Sequence, residues 1–463
     1  KNFKLNMYNN NVMIIDNFLQ NNTLDDSEGA LIRKQIIDLS KKYSEKIHSR
    51  QEFIPGKTIV PVSGKVFDFS DLQSLISSSL DFWLTTGRFN QEFEKQLSKY
   101  VGINFALTTN SGSSANLLAV SSLMSNELGD KKLNSGDEVI TLAAGFPTTV
   151  NPIFQNNLIP TFVDIDLPTF SASPENIESA ITSKTKAIIF AHTLGNPFEL
   201  DTILDIAKKH NLWLIEDCCD ALGSRYKNKH VGTFGDIATF SFYPAHQITM
   251  GEGGAVITND PALRRIIESL RDWGRDCFCA PGKNNTCGKR FDWQLGELPF
   301  GYDHKYTYSS TGYNLKITDM QASVGLSQLQ KLPEFIKKRQ ENFEYLKLNL
   351  SKFSKYLILP TSTLNSSPSW FGFPIVVKLD SPFSKNDLVS FLSSKLIDTR
   401  PLFAGNLTKQ PYLKNKDYKI FGTLDNTNLI MNNGFWIGVF PGLSKNMLDY
   451  VILQFKLFFE PFS

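Results

Sequence analysis

The chain has 463 residues, of which 41% are hydrophobic, with 48 basic against 46 acidic side chains. This length predicts one large domain and a smaller second one, and the balanced charge argues against a nucleic-acid partner. No apolar run approaches the roughly 20 residues of a membrane span, and the N-terminus lacks the apolar core of a signal peptide. We therefore expect a cytoplasmic protein without a membrane partner.

In chain order, residues 1–60 predict a polar lead-in with a helix near residues 31–47. Short apolar runs of strand length then alternate with helical segments, which predicts an α/β fold with a mostly parallel sheet. The predicted strands are residues 138–142, 161–166, 187–191, 213–217, 238–242 and 255–258, and the predicted helices between them include 173–181 and 200–210.

The alternation stops between residues 272 and 308, a stretch rich in Gly, Pro, Asn, Cys and aromatic residues. We interpret it as a long ordered loop, and such loops in compact domains are usually functional. A long amphipathic helix follows from Asp319 to about residue 350, then a strand at 371–379 and helices at 386–394 and 445–459. The predicted division is a lead-in (1–60), a large domain with the loop 272–308 (61–320) and a small C-terminal domain (321–463).

Two segments place polar groups where α/β sheets bind ligands. Residues 110–116 read NSGSSAN before a helix; small residues there let backbone N–H groups approach a phosphate, although the same pattern also caps helices. Asp217 ends an apolar strand, the position at which open sheets bind ligands. Its carboxylate can pair with a protonated ring nitrogen or form a structural cap.

The strongest run is residues 241–254, which read SFYPAHQITMGEGG. It resembles the DegT/DnrJ/EryC1/StrS sugar aminotransferase family of fold type I pyridoxal phosphate enzymes, in which a serine–aromatic segment leads to the Schiff-base lysine and a Gly-Glu-Gly-Gly turn follows. His246 occupies the lysine position. The resemblance implies an aspartate aminotransferase-like large domain, a smaller C-terminal α/β domain and a homodimer.

Further segments match the same family in order, including an entry motif at residues 87–94. The resemblance implies a phosphate loop, an aromatic stacked on the cofactor ring, a carboxylate on its nitrogen, a second phosphate ligand, and an asparagine that reaches the neighbouring subunit's phosphate. The residues at these positions are Gly112, Ser113 and Ser114, then Phe146, Asp217, Ser241 and Asn314. Asp220 lies where the family's aminotransferases usually have glutamine near the cofactor's phenolic oxygen.

Histidine cannot hold a cofactor as a stable Schiff base, but it can take a proton near neutral pH. The resemblance therefore implies a dehydratase that binds pyridoxamine or pyridoxal 5'-phosphate non-covalently. Such enzymes remove the 3-hydroxyl of a nucleotide-linked 4-keto-6-deoxyhexose, with His246 as the acid–base group. A lone histidine is more often a core residue or the mark of a decayed enzyme, but the surrounding cofactor motifs favour catalysis.

Four of the five cysteines, Cys219, Cys277, Cys279 and Cys287, have the spacing C-x57-C-x-C-x7-C. In a reducing compartment four thiolates can bind zinc or an iron–sulfur cluster, and spacing alone leaves open both of these and a set of scattered core cysteines. The spacing resembles the family's iron–sulfur 3-dehydrases of the CDP-4-keto-6-deoxyglucose type, which act in dideoxyhexose and lipopolysaccharide biosynthesis. That resemblance implies a [2Fe–2S] cluster and a separate NADH- and flavin-dependent iron–sulfur reductase.

Three alternatives remain. They are a glutamate-dependent 3-dehydratase without a cluster, a non-catalytic sugar-nucleotide binder, and a true aminotransferase, which the missing lysine makes the weakest. Arg400 matches a family segment near the nucleotide-diphosphate sugar and suits phosphate contacts, or it braces the small domain. The residues leave the nucleotide open among CDP, GDP and dTDP.

Overall fold

The computed structural model describes residues 27–48 and 52–462. The predicted lead-in helix is observed as α1, Ser27–Ile47, whereas residues 1–26 of the predicted lead-in lie outside the described residues. None of the described helices is long and apolar enough to cross a membrane.

Helices and strands alternate through the larger part of the chain. Its helices are α1, α2 Phe69–Asp81, α3 Arg88–Val101, α4 Gly112–Ser122, α5 Pro147–Gln155, α6 Pro174–Ser179, α7 Leu200–Lys209 and α8 Pro261–Arg271. Its strands are β1 Phe105–Thr109, β2 Glu138–Leu142, β3 Ile159–Val163, β4 Ile165–Asp166, β5 Ser171–Ala172, β6 Thr185–Ala191, β7 Trp213–Asp217, β8 Arg225–Tyr226, β9 Lys229–His230, β10 Ile237–Ser241 and β11 Gly254–Thr258.

The C-terminal part begins with the long helix α9, Asp319–Leu350. It continues with β12 Leu357–Ile358, β13 Ser366–Ser367, β14 Gly372–Val377, α10 Lys385–Ser394, β15 Lys419–Ile420, α11 Asp425–Asn433, β16 Gly434–Gly438 and α12 Lys445–Phe459. Between α8 and α9, a stretch that is described throughout, the only helical turn is the 3₁₀ segment His304–Tyr306.

The main sheet has eight strands in the order β1-β11-β10-β7-β6-β2-β3-β15. Every neighbouring pair from β10 to β15 is parallel, whereas β11 runs antiparallel to both β1 and β10. The predicted mostly parallel sheet is confirmed. All five residues of β2 and of β10 are buried, as expected when helices cover both faces. The carboxyl ends of these parallel strands meet at one edge, where such sheets bind ligands.

The predicted strand 161–166 is instead two strands, β3 and β4, because Asp164 turns the chain between them. The buried Asp164 carboxylate accepts hydrogen bonds from the backbone N–H of Ile165 at 2.9 Å and of Thr427 at 2.8 Å. These bonds favour a bend over continued strand pairing.

Helix α9 connects a hydrophobic cluster of the large domain with the hydrophobic cluster of the small domain. It begins with a capping box between Thr318 and Gln321 and runs 32 residues, which is about 48 Å. Its first half packs Leu326 and Leu332 into the core of the large domain, and its second half packs Phe343 and neighbouring residues into the small-domain core. The predicted helix from Asp319 to residue 350 is confirmed.

Asp319 also caps a second helix. Its carboxylate accepts hydrogen bonds from the backbone N–H of Gly87 at 2.9 Å, Phe89 at 3.3 Å and Asn90 at 2.8 Å. Because the first N–H groups of a helix have no partner inside it, this buried carboxylate fixes the start of α3 against the start of α9.

Residues 399–424, here called the strap, leave the small domain and return to the main sheet. The backbones of Arg400 and Trp436 pair in both directions, at 3.1 and 2.8 Å, and Leu407 N donates to Ala143 O at 2.9 Å. Further on, β15 pairs with β3 in parallel, and Lys419 Nζ lies 2.5 Å from Glu138 Oε1. One strand from within residues 321–463 is thus the edge strand of the large sheet.

Candidate active site

A cleft of about 600 Å³ lies at the carboxyl edge of the main sheet, between the large and small domains. The predicted site residues that line it are Gly112, Ser113, Phe146, Asp217, Cys219, Asp220, Ser241, His246 and Arg400. Ser114 is not part of the lining; its backbone N–H donates to Ser111 Oγ at 3.1 Å. Asn314 also lies outside the cleft of its own chain, where its Oδ1 accepts a hydrogen bond from Lys316 at 2.9 Å.

One end of the cleft is the N-terminus of α4. A Cβ atom on Gly112 would lie 2.5 Å from Ser241 Cβ and 3.0 Å from Cys219 Sγ. Only glycine therefore allows the helix to begin this close to β10. Because a helix N-terminus favours anions, this end of the cleft fits a phosphate group.

The Asp217 carboxylate is held from three sides. Its Oδ2 accepts hydrogen bonds from Asn116 Nδ2 at 2.8 Å and Thr149 Oγ1 at 2.7 Å, and its Oδ1 accepts one from Cys219 N at 3.0 Å. Asn116 is fixed in turn by Thr239, whose Oγ1 donates to its Oδ1 at 2.6 Å. Asp217 is only 4% exposed, so its oxygens have little freedom to turn away from a ligand.

Phe146 supplies an open aromatic face in the same cleft. It precedes the first turn of α5, is 51% exposed, and meets Phe403 of the strap edge-on at 6.1 Å. A half-exposed phenyl ring that lines a cleft offers its face to a planar ligand. The anion site, this ring and the fixed Asp217 are the three groups that a pyridine-ring phosphate cofactor needs, so the residues fit the predicted cofactor.

His246 lies opposite Asp220, with 3.6 Å between Nδ1 and Oδ1. Each side chain is 14% exposed, and within the described part of the chain His246 Nδ1 has no hydrogen-bond partner. Burial, with a smaller contribution from the Arg339 cation, lowers the pKa of His246 to about 3. Burial, and then the charge of Asp217, raises the pKa of Asp220 to about 7. At neutral pH the imidazole is therefore neutral, the form that can accept a proton.

All five cysteines are free, and the predicted metal ligands occupy two places. Cys219 lines the cleft, whereas the other three lie on the loop 272–308. There Cys279 N donates to Cys277 Sγ at 3.4 Å, and Cys279 Sγ lies 3.0 Å from Thr286 Oγ1. Within the described residues, no three of the four predicted cysteines bring their sulfur atoms within 4.8 Å of one another, so the structure assembles neither a zinc site nor a cluster site from them.

A preassembled zinc site would have its sulfur atoms about 3.8 Å apart. In the described ranges 27–48 and 52–462, only one set of three His, Cys, Asp or Glu side chains brings its ligand atoms within 4.8 Å of each other, and it is His192, Glu216 and Cys218. That set is a satisfied core network, because Glu216 accepts hydrogen bonds from three backbone N–H groups of residues 232–235 as well as from His192.

Sequence reasoning did not assign a role to Thr149 or Arg339. Thr149 lies one helical turn beyond Phe146, and this spacing from a predicted cleft residue is the only feature of the sequence that indicates a place in the site. Arg339 lies within the regular pattern of α9, and nothing in the neighbouring residues marks it. Both acquire their contacts through chain segments distant in sequence.

Comparison with known proteins agrees with this geometry. The model of the DegT/DnrJ/EryC1/StrS aminotransferase family matches residues 68–456. The chain is 58% identical to the lipopolysaccharide biosynthesis protein RfbH of Salmonella typhimurium over 428 residues, covering 92% of this chain and 98% of that one. It is 51% identical over 408 residues to the dTDP-4-dehydro-2,6-dideoxy-D-glucose 3-dehydratase of Saccharopolyspora spinosa, covering 88% of each.

Among solved structures, the GDP-4-keto-6-deoxy-D-mannose-3-dehydratase of E. coli with bound hydrated PLP aligns with a TM-score of 0.77 and 32% identity. The alignment covers 86% of this chain and 99% of that one. An aminotransferase from Psychrobacter cryohalolentis, 23% identical, shares the fold at a TM-score of 0.76. The predicted fold type I architecture is confirmed, and the chain belongs to the DegT/DnrJ/EryC1/StrS aminotransferase family.

Proposed function

We propose that this protein is a sugar-nucleotide 3-dehydrase that uses pyridoxamine 5'-phosphate and a [2Fe–2S] cluster. Its substrate is a nucleotide-linked 4-keto-6-deoxyhexose, from which it removes the C3 hydroxyl in dideoxyhexose and lipopolysaccharide biosynthesis. The observation that carries the proposal is His246, a neutral imidazole at the lysine position of a cleft that Gly112, Phe146, Asp217 and Ser241 also line. The 3-dehydratases among the relatives, at 51% and 34% identity, support it.

The cleft residues hold the cofactor without a covalent bond. Gly112, Ser113 and Ser241 bind the phosphate, with Ser114 at the same helix start, and Phe146 stacks on the ring. Asp217, whose carboxyl group is held by Asn116, Thr149 and Cys219 N, would pair with the protonated ring nitrogen. The bound cofactor supplies an amine that condenses with the C4 ketone and a ring that takes up electrons. In a homodimer, Asn314 of one subunit reaches the phosphate of the other.

His246 moves the proton that this chemistry requires. Its neutral imidazole accepts a proton within the cleft and returns it to the departing hydroxyl, which leaves as water. Asp220, near its own pKa at pH 7, holds or releases a proton 3.6 Å from His246 Nδ1. When His246 takes up a proton, Asp220 can release one, so the two side chains need not leave an unpaired charge in the low-dielectric cleft, where such a charge is unfavourable.

Replacing a C3 hydroxyl by hydrogen consumes two electrons and two protons and releases water. The sequence has no evident flavin or nicotinamide motif, so a separate NADH- and flavin-dependent iron–sulfur reductase supplies the electrons. Cys219, Cys277, Cys279 and Cys287 would hold the cluster, which would supply the electrons one at a time. Of these four cysteines, Cys219 is the one that lines the cleft, next to Gly112 at its phosphate end.

Arg400 lines the cleft from the strap, where its guanidinium suits the diphosphate of the nucleotide. CDP-4-keto-6-deoxyglucose is the first substrate to test. The names of relatives specify dTDP and GDP sugars, so the dTDP and GDP analogues are the competing substrates in the same assay.

The first experiment is to measure iron and acid-labile sulfide in anaerobically purified protein. About two iron atoms and two sulfides per chain would support the cluster. Cys279→Ala should then lose both iron and sulfide while the absorbance of the bound cofactor stays the same. Cys218→Ala is the matched control, since this buried neighbour of Cys219 lies outside the quartet, and it keeps the iron. Zinc or no metal, with turnover driven by L-glutamate and no reductase, would favour the glutamate-dependent 3-dehydratase instead.

A further inference from the structure

A buried arginine lies behind the segment that carries His246. Arg339 of α9 is 1% exposed. Its Nη2 donates to the backbone carbonyls of His246 at 2.9 Å and Ala245 at 3.4 Å, and its Nη1 donates to those of Trp370 at 3.1 Å and Phe371 at 3.4 Å. One guanidinium therefore joins two separate chain segments through four carbonyl groups.

This arrangement is expensive for a packing residue. Burying a charge without a paired carboxylate is strongly unfavourable, and burial lowers the pKa of Arg339 to about 9. Within the described part of the chain, no carboxylate lies within salt-bridge distance of it, and the charge of Asp220 only partly offsets the effect of burial on its pKa. An apolar side chain of similar length would fill the same volume without that cost, so the four carbonyl contacts, together with the charge of Asp220, account for an arginine at this position.

The two joined segments meet at the imidazole. The ring of Phe371 lies 5.2 Å from the ring of His246, at an interplanar angle of 35°. Gln247 reinforces the same junction: its Nε2 donates to Ser369 O at 2.9 Å and to Asp220 O. Three chain segments therefore meet here, and they carry His246, Asp220 and Phe371. Arg339 and Gln247 join these segments by donating hydrogen bonds to backbone carbonyl groups.

We propose that Arg339 is a positioning residue for His246: it fixes the backbone of residues 245–246 against residues 370–371 and so sets where the imidazole lies in the cleft. The inference rests on the proposed role of His246 as the acid–base group. Acid–base chemistry depends strongly on distance, and a displacement of about 1 Å can lower a rate about 100-fold.

The test compares Arg339→Met and Arg339→Lys with a control on the same helix. Asn342 is also buried, and its Nδ2 donates to the carbonyls of Val439 at 3.1 Å and Phe440 at 3.2 Å, away from the cleft. Arg339→Met should lower kcat about 100-fold while KM and the cofactor Kd stay within about threefold. Arg339→Lys keeps the charge but not the planar guanidinium, so its kcat should fall about tenfold. Asn342→Leu should lower the Tm without changing kcat.

Hydrogen exchange by mass spectrometry gives a readout that does not depend on turnover. Peptides covering residues 243–250 should exchange at least about tenfold faster in Arg339→Met, with the main sheet unchanged, and should be unaffected in Asn342→Leu. Wild-type kcat or wild-type exchange in Arg339→Met would overturn the inference. If that variant does not fold, Arg339→Lys decides by the same two criteria. If the wild-type enzyme shows no dehydration, the proposed function fails, and exchange alone decides the positioning role.

Discussion

Replacing His246 by Asn should make the protein less sensitive to acid while abolishing dehydration. Burial lowers the pKa of His246 from 6.5 to about 3 in the folded chain, whereas the unfolded chain keeps the ordinary value. The stability that the neutral imidazole contributes is fully present above pH 6.5 and is lost as the pH falls toward 3. A tenfold difference in proton affinity is worth about 1.4 kcal/mol. At pH 5 the imidazole is protonated in the unfolded chain but not in the folded one, so His246 lowers the free energy of unfolding of the wild type by about 2 kcal/mol relative to neutral pH.

The measurement is urea denaturation of cofactor-free protein at several pH values between 7.5 and 5. The difference in unfolding free energy between wild type and His246→Asn should shift by about 2 kcal/mol across this range. Any cavity left by the smaller side chain is the same at each pH and cancels. Asp220 does not rescue the charged form, because its own raised pKa keeps it largely protonated below pH 7.

His230→Asn is the matched control. Burial, then the charge of Arg225, lowers the pKa of His230 to about 4, and this residue does not line the cleft. It should show a similar pH-dependent difference in stability while keeping turnover. If the difference between wild type and His246→Asn is the same at pH 7.5 and pH 5, the imidazole takes up its proton in the folded protein, and the argument for a neutral base is wrong.

Three further substitutions test other parts of the structure. Asp319→Ala should lower the free energy of unfolding by about 2–4 kcal/mol, because it leaves three backbone N–H groups at the start of α3 without an acceptor. Asp319→Asn, which keeps one acceptor oxygen, should lower it by about half as much, and chemical denaturation measures both values. Thr149→Val removes one hydrogen bond to Asp217 and should weaken cofactor binding about tenfold in absorbance titrations, since bonds to charged groups are worth about 1.5–3 kcal/mol; unchanged affinity would mean that the remaining bonds suffice. Arg400→Ala should raise KM for the nucleotide sugar at least tenfold with little change in kcat; a lowered Tm with unchanged KM would make it a brace of the small domain.

The sequence predicts most of the cleft because its motifs lie at the ends of regular elements. Phe146, Asp217 and Ser241 follow or end apolar segments, and a parallel sheet gathers such positions at one edge. Thr149 and Arg339 escape prediction because their partners are distant in sequence: Asp217 lies 68 residues from Thr149, and His246 lies 93 residues from Arg339. No local pattern of apolar residues records such contacts.

The fold shows the same limit. Helix α12 occupies the predicted residues 445–459, because a serine cap and a clear apolar stripe define it. Helix α2 is missing from the prediction: its sequence, FSDLQSLISSSLD, carries five serines of weak helix propensity, and packing against α9 and α1 compensates. Strand β15 has two residues, Lys419 and Ile420, so only its pairing with β3 identifies it as a strand.

The strap both lines the cleft, through Arg400, and supplies the edge strand β15 of the main sheet. By pairing with Thr161 and Phe162, β15 covers part of β3 that would otherwise be a bare sheet edge, and unpaired edges invite association with other chains. Shortening the strap would leave this part of β3 as an unpaired sheet edge, so we expect such a variant to associate with other chains and aggregate.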